Sequence, residues 1–173
     1  MELEALKQKI RDIPDFPRPG ILFRDITPLL ADGQAFRAVI DQVGARYRDQ
    51  RIEAVVGVEA RGFILGSALA YKLGAGSIPI RKRGKLPYRT YQCTYALEYG
   101  TDTLEIHQDA VRSGQRVLVF DDLLATGGTM SAAAELVRKL GGQIVELGFL
   151  IELTALKGRD ALKEYPVFSL IQY

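Results

Sequence analysis

The apolar positions of this chain change their spacing repeatedly, and each change marks an element. Leu3, Leu6, Ile10 and Ile13 recur at helical intervals, which predicts a helix over residues 2–13. Pro14, Pro17, Pro19 and Gly20 then exclude helix and strand alike. An ordered, proline-stiffened segment at 21–27 follows, and Pro28 opens a short helical turn. Residues 33–50 predict an amphipathic helix with Phe36, Val39, Ile40, Val43 and Tyr47 on one side. Residues 54–58 form a short apolar run, as expected of a buried parallel strand, and a helix over 63–73 follows the break at 59–62. A strand at 77–80 runs into the basic stretch 81–85. Residues 86–101 form a long, mobile excursion in which 90–95 is rich in β-formers. Residues 101–107 alternate, with Leu104 and Ile106 on one face and His107 on the polar phase. Together they predict a β-hairpin arm able to fold over a site.

A further apolar run at 117–120 ends at two adjacent carboxylates, and helical spacing resumes at Ala132, Ala133, Leu136, Val137 and Leu140, closed by Gly141 and Gly142. A strand at 144–153, apolar except for Glu146 and Glu152, a short helix at 155–163 and a strand at 167–172 complete the chain. Strand–helix units joined by short links predict an α/β fold built on a doubly wound parallel sheet. Ligand loops are then expected at the strand C-termini.

The chemistry concentrates at 117–129, read as a buried strand, an acidic turn at Asp121 and Asp122, a glycine-rich loop and a helix. A loop of this kind turns backbone N–H groups around an anion at the positive end of the helix. Thr126 and Thr129 add hydroxyls, and Thr129 is also placed to cap the helix. The loop, Ala125 to Thr129 with Gly127 and Gly128 at its centre, lacks the ending of a Walker motif. Carboxylates beside a phosphate seat are expected to face hydroxyls or a cation, so a phosphorylated sugar satisfies both halves. The stretch 59–62 repeats strand, polar loop and helix. Arg61 there is either a surface arginine or a bidentate partner for phosphate oxygens. The run Arg81, Lys82, Arg83, Gly84, Lys85 is either a solvated turn or a seat for a multiply charged anion. Phe23, in an extended apolar segment, either packs on the core or offers a flat face to a planar heterocycle.

Bulk properties narrow the class. At 173 residues a single domain is expected, and the net charge of +2 gives no argument for nucleic acid. The single cysteine, Cys93, excludes an intrachain disulfide, and with one histidine a zinc cluster is excluded too. His107 is expected to be an exposed strand residue rather than a catalyst, and Cys93 has no histidine partner to make it a nucleophile. The first residues lack a signal-peptide core and no apolar run reaches membrane-spanning length, so a soluble cytoplasmic protein is expected.

The string at 121–129 resembles the phosphoribosyl pyrophosphate (PRPP) signature of the type I phosphoribosyltransferases. Further stretches resemble the adenine-specific branch of that family: 16–27, 59–63, 80–87, 95–100, 152–159 and 168–173. The resemblance spans nearly the whole chain, in order. It implies one type I phosphoribosyltransferase-like domain over 1–173, with the N-terminal helix and a small base-binding hood in 1–30 and a flexible β-arm. The implied reaction is PRPP plus adenine giving AMP and pyrophosphate in purine salvage, with Mg²⁺ held mainly through PRPP or pyrophosphate, in a homodimer. By the same resemblance Leu22, Phe23 and Arg24 bind adenine. Glu59, Ala60 and Arg61, with Arg81, Lys82, Arg83 and Lys85, serve pyrophosphate, some of the basic residues reaching in from a partner subunit. Glu98 on the arm handles a purine proton. Asp121 and Asp122 hold ribose, while Ala125, Thr126, Gly127, Gly128 and Thr129 hold the 5′-phosphate. The alternatives are a transferase for another purine base, or a non-catalytic purine or PRPP sensor. The latter needs a DNA-binding segment, for which residues 1–13 are too short.

Overall fold

The computed structural model describes residues 1–96 and 100–173. Two compact units are present, Met1–Val43 and Gly44–Tyr173. Among the described residues no helix is long and apolar enough to cross a membrane.

The first unit contains α1 (Leu3–Lys7), β1 (Arg11–Pro14), β2 (Leu22–Asp25), α2 (Thr27–Ala31) and the larger part of α3 (Gly33–Tyr47). The helix expected over 2–13 therefore stops early. The N–H groups of Lys9 and Ile10 bond three residues back, to Leu6 and Lys7, and that tight turn releases 11–14 to pair antiparallel with β2. Charge reinforces the pairing, because Arg24 bonds Asp12 and Arg11 lies 3.5 Å from Asp25. Here long-range pairing outweighs local periodicity. Pro14 forms the end of the strand, a position where its missing N–H is tolerated. Asp32 caps α3, its Oδ1 accepting the N–H groups of Gln34 and Ala35 at 3.0 and 3.1 Å.

In the second unit a seven-stranded sheet runs in the order β5-β6-β4-β3-β7-β8-β9. Its members are β3 (Ala54–Val58), β4 (Gly76–Lys82), β5 (Thr90–Ala96), β6 (Thr101–His107), β7 (Arg116–Leu124), β8 (Gln143–Glu152) and β9 (Val167–Gln172). The run β4-β3-β7-β8-β9 is parallel, as the strand–helix alternation predicts. The hairpin β5–β6 adds antiparallel to β4, with Arg81 opposite Glu105 and Lys82 opposite Leu104. The expected arm is thus rooted as an edge of the main sheet.

Alternation along the central strands separates two faces. Ala54, Val56, Val58, Val117 and Val119 pack with Ala133, Leu136 and Val137 of α5 (Gly128–Lys139). On the opposite face Val55 and Gly57 meet Gly66 of α4 (Arg61–Leu73), and Phe120 lies beside Gly148 and Tyr47. Helices cover both faces, the doubly wound arrangement.

Three details differ from the sequence reading. The acidic pair is not a turn: β7 continues through Asp121 and Asp122 to Leu124, and Asp121 pairs in register with Phe149. The short helix at 155–163 is two 3-10 turns, Thr154–Leu156 and Gly158–Leu162. His107 is half-buried beside Tyr88, and its Nε2 is buried with no hydrogen-bond partner among the described residues. Cys93 is buried, and burial followed by its bond to Glu135 pushes the thiol up to about 11, which makes it inert.

Candidate active site

Strands β3 and β7 are parallel neighbours, and both deliver their C-terminal ends to loops that open helices. Between those loops lies a cleft of about 530 Å³. Glu59 and Ala60 line it from the loop before α4 and Arg61 from the first residue of that helix; Asp121, Asp122, Ala125 and Thr129 line it from β7, the loop after it and the start of α5. Lys82, at the end of β4, lines it as well. A smaller hollow of about 80 Å³ lies against Thr126, Gly127, Gly128 and Thr129. The two loops stand beside each other although about sixty residues separate them in the chain.

The glycine loop opens α5 beside this hollow. Gly127 takes φ 88° as the residue before α5, a conformation that strains any side chain. The first N–H groups of a helix have no intrahelical acceptor, and those of α5 begin at this hollow. Thr129 is not the cap, since it lies inside α5, and its hydroxyl donates instead to the Tyr95 hydroxyl at 3.3 Å. Gly62 serves a different purpose: a Cβ there would stand 2.7 Å from Asp121 Oδ1, so only glycine lets α4 begin this close to the carboxylate.

The acidic pair is buried and electrostatically tense. The Asp122 N–H donates to Asp121 Oδ1 at 2.8 Å, and the Arg61 guanidinium bonds the Asp122 carboxylate. Burial first, and the neighbouring Asp122 charge second, hold the Asp121 carboxyl well above the usual carboxylate range; Arg61 offsets part of this. The basic run is partly drawn onto carboxylates. Arg81 Nε and the Lys82 N–H both donate to Glu59 Oε2, at 3.2 and 3.0 Å, and Lys82 Nζ lies 3.1 Å from Asp102. Those bonds outweigh the opposing effect of burial and hold the Glu59 carboxyl below its ordinary value. The Gly84 N–H donates to buried Glu105 at 2.9 Å, which fixes the turn carrying the exposed Arg83 and Lys85. Of the four cations in the run, Lys82 alone lines the cleft.

Leu22, Phe23 and Arg24 belong to the first unit. Phe23 packs edge-on against Phe16 with ring centroids 5.1 Å apart, and Leu22 is 44% exposed. Leu22 and Arg24 are two residues apart in β2, so their backbone groups share one edge of the strand. Glu98 lies outside the described residues. Tyr95, Asp102, Leu104 and Leu123 also line the cleft, and the sequence reading missed them. The alternation of the hairpin was visible, but not its register, which sets Tyr95 opposite Asp102.

The family of the Phosphoribosyl transferase domain matches residues 27–172. The adenine phosphoribosyltransferase of Chloroflexus aurantiacus is 61% identical over 173 residues, the full length of both chains. The chain belongs to the adenine phosphoribosyltransferase family. Solved adenine phosphoribosyltransferases superimpose accordingly. That of Thermoanaerobacter pseudethanolicus gives a TM-score of 0.97 at 52% identity, covering 99% of this chain and 100% of its own. The Giardia lamblia enzyme, solved in complex with 9-deazaadenine, gives 0.95 at 40% identity, covering 100% and 98%. Membership makes the chain a glycosyltransferase-type enzyme and accounts for the central parallel sheet.

Proposed function

We propose that the chain transfers the phosphoribosyl group of PRPP to adenine, giving AMP and pyrophosphate for purine salvage. The observation that carries this reading is the buried Asp121–Asp122 pair leading straight into the glycine loop at the start of α5, in one cleft with Arg61 and Lys82. Residues 125–129 take the 5′-phosphate on backbone N–H groups and threonine hydroxyls. The carboxylate pair takes the ribose hydroxyls and favours the positive charge that grows on the sugar as pyrophosphate departs. Arg61, with Glu59 and Ala60 in its loop, and Lys82, with Arg81, Arg83 and Lys85 around it, receive the leaving group. In the hood, Phe23 stacks on adenine while the backbone of Leu22 and Arg24 reads its edge. Glu98 accepts or relays the purine proton.

Mg²⁺ belongs to this reading. A hard ion of this kind keeps most of its water and binds through phosphate oxygens with one or two carboxylates, and the cleft joins carboxylates to the expected diphosphate seat. The diphosphate oxygens of PRPP would hold it. When bound, it neutralises charge on the leaving group. One domain over 1–173 with the hood in 1–30, a homodimer and a cytoplasmic location complete the proposal.

The test is AMP formation from adenine and PRPP with Mg²⁺, followed by chromatography. Product from adenine supports the assignment; product from hypoxanthine with none from adenine overturns the choice of base.

A further inference from the structure

Residues 152–159 resemble the family yet do not line the cleft, and their packing shows what they do for it. After β8 the chain makes its two 3-10 turns, joined at Lys157 with φ 52°. The second turn lies directly behind the glycine loop. A Cβ on Gly158 would stand 2.3 Å from the Ala125 carbonyl oxygen, and one on Gly127 would stand 2.4 Å from the Gly158 carbonyl oxygen. Backbone therefore meets backbone at this contact, with the Leu124 and Ala161 side chains packed beside it.

Arg159, the next residue, pins that turn to the sheet. Its Nε and Nη2 grip both oxygens of Glu152 at 2.7 Å each, its Nη1 donates to the Val167 carbonyl at 3.0 Å, and Nη2 reaches the Ser169 hydroxyl at 3.2 Å. Glu152 is buried on β8 and accepts further bonds from Ser169 and, at 3.2 Å, from Gln172. Leu162, at the end of the turn, is sealed into the core that includes α5. The contacts form one rigid line from Glu152 through Arg159 and Gly158 to Ala125 and Gly127.

We propose that Arg159 and Glu152 are positioning residues for the 5′-phosphate: by holding Gly158 against Ala125 and Gly127 they set the spacing of the loop's N–H donors. The proposal rests on the reading of 125–129 as the phosphate seat. Lysine keeps the charge of arginine but cannot make the planar two-pronged grip or reach Val167 at the same time. Displacement of a binding group by about 1 Å costs on the order of 10²-fold in rate.

The experiment compares wild type with R159K, G158A and T126A, using calorimetric binding of AMP and of adenosine, steady-state kinetics, and thermal denaturation to verify folding. R159K is expected to raise the AMP dissociation constant and the PRPP KM by roughly tenfold or more. Adenosine affinity should stay unchanged, and the loss should fall on KM rather than kcat. G158A pushes the loop from behind and should give the same phosphate-selective loss. The positioning role is overturned if folded R159K and G158A bind AMP within twofold of wild type, or lose AMP and adenosine equally. T126A separates the two readings. If it leaves the preference for AMP over adenosine intact, the phosphate seat itself is misplaced. If it erases that preference while R159K and G158A do not, only the positioning role fails.

Discussion

At the scale of single residues, the tension of the site sits in Asp121. Its carboxyl is buried beside Asp122, and both effects raise its pKa. The folded protein therefore holds that proton to higher pH than the unfolded chain, which releases it above about pH 4. Stability contributed by that proton is present at low pH and lost as pH rises toward the folded-state value. Asp121→Asn keeps an oxygen to accept the Asp122 N–H and removes the titration. The variant should match wild type near pH 4 and become the more stable of the two as pH rises, read as a Tm difference that grows with pH. PRPP and AMP binding should weaken in the same variant, a trade of function for stability. Thermal melts across pH, with calorimetry of AMP, check both halves; a Tm difference that stays flat with pH removes the electrostatic argument. Glu98 carries the second prediction at this scale. Glu98→Gln keeps the shape of the side chain but cannot take a proton, so turnover should fall by roughly 10²–10⁴-fold with little change in PRPP affinity. Near-normal turnover in the variant would take Glu98 out of the mechanism.

Elements were legible in the sequence where burial is complete and local. The strand β3 matches its apolar run residue for residue because every position of it is buried. The glycine loop was legible because its chemistry is contiguous. What escaped was set by distant partners. Residues 11–14 form a strand because β2 is there to pair with them. Tyr95 and Asp102 reach the cleft through a hairpin register that no local pattern encodes. Glu146 looked anomalous in an apolar strand, yet Arg46 grips it with two bonds of 2.7 Å and the Tyr47 hydroxyl donates a third at 2.7 Å, from a hundred residues away. Burial alone raises the Glu146 carboxyl, but the bonds from Arg46 and Tyr47 prevail and hold it below its ordinary value. Its contribution is thus present above about pH 4.3 and lost as pH falls. Tyr47→Phe removes one donor from this buried acid and should cost about 1–2 kcal/mol. The loss should appear as a lower Tm at neutral pH with kcat and KM unchanged, because the bond joins Tyr47 to Glu146 of β8 within the second unit and does not touch the cleft. A loss of activity without a loss of Tm would contradict that division.

For the molecule as a whole, the net charge of +2 says little, since what matters is where the charges lie. Arg61 and Lys82 line the cleft, and Arg83 and Lys85 stand exposed on the turn held by Glu105. The carboxylates Asp122, Glu59 and Asp102 already engage Arg61, Arg81 and Lys82, so the arrangement is close to balanced before any ligand arrives. An incoming polyanion then meets cations on side chains that must change partner, together with the exposed turn. Its capture should depend on ionic strength, while that of neutral adenine should not. The Debye length falls from about 30 Å at 0.01 M to about 3 Å at 1 M salt, which screens exposed charges far more than buried pairs. The PRPP KM should accordingly rise several-fold across a KCl series at fixed free Mg²⁺, with the adenine KM nearly constant. Replacing Arg83 and Lys85 together with glutamine should flatten that dependence, because both cations stand exposed to the salt. Equal salt dependence for both substrates would show that the basic turn plays no part in drawing PRPP to the cleft.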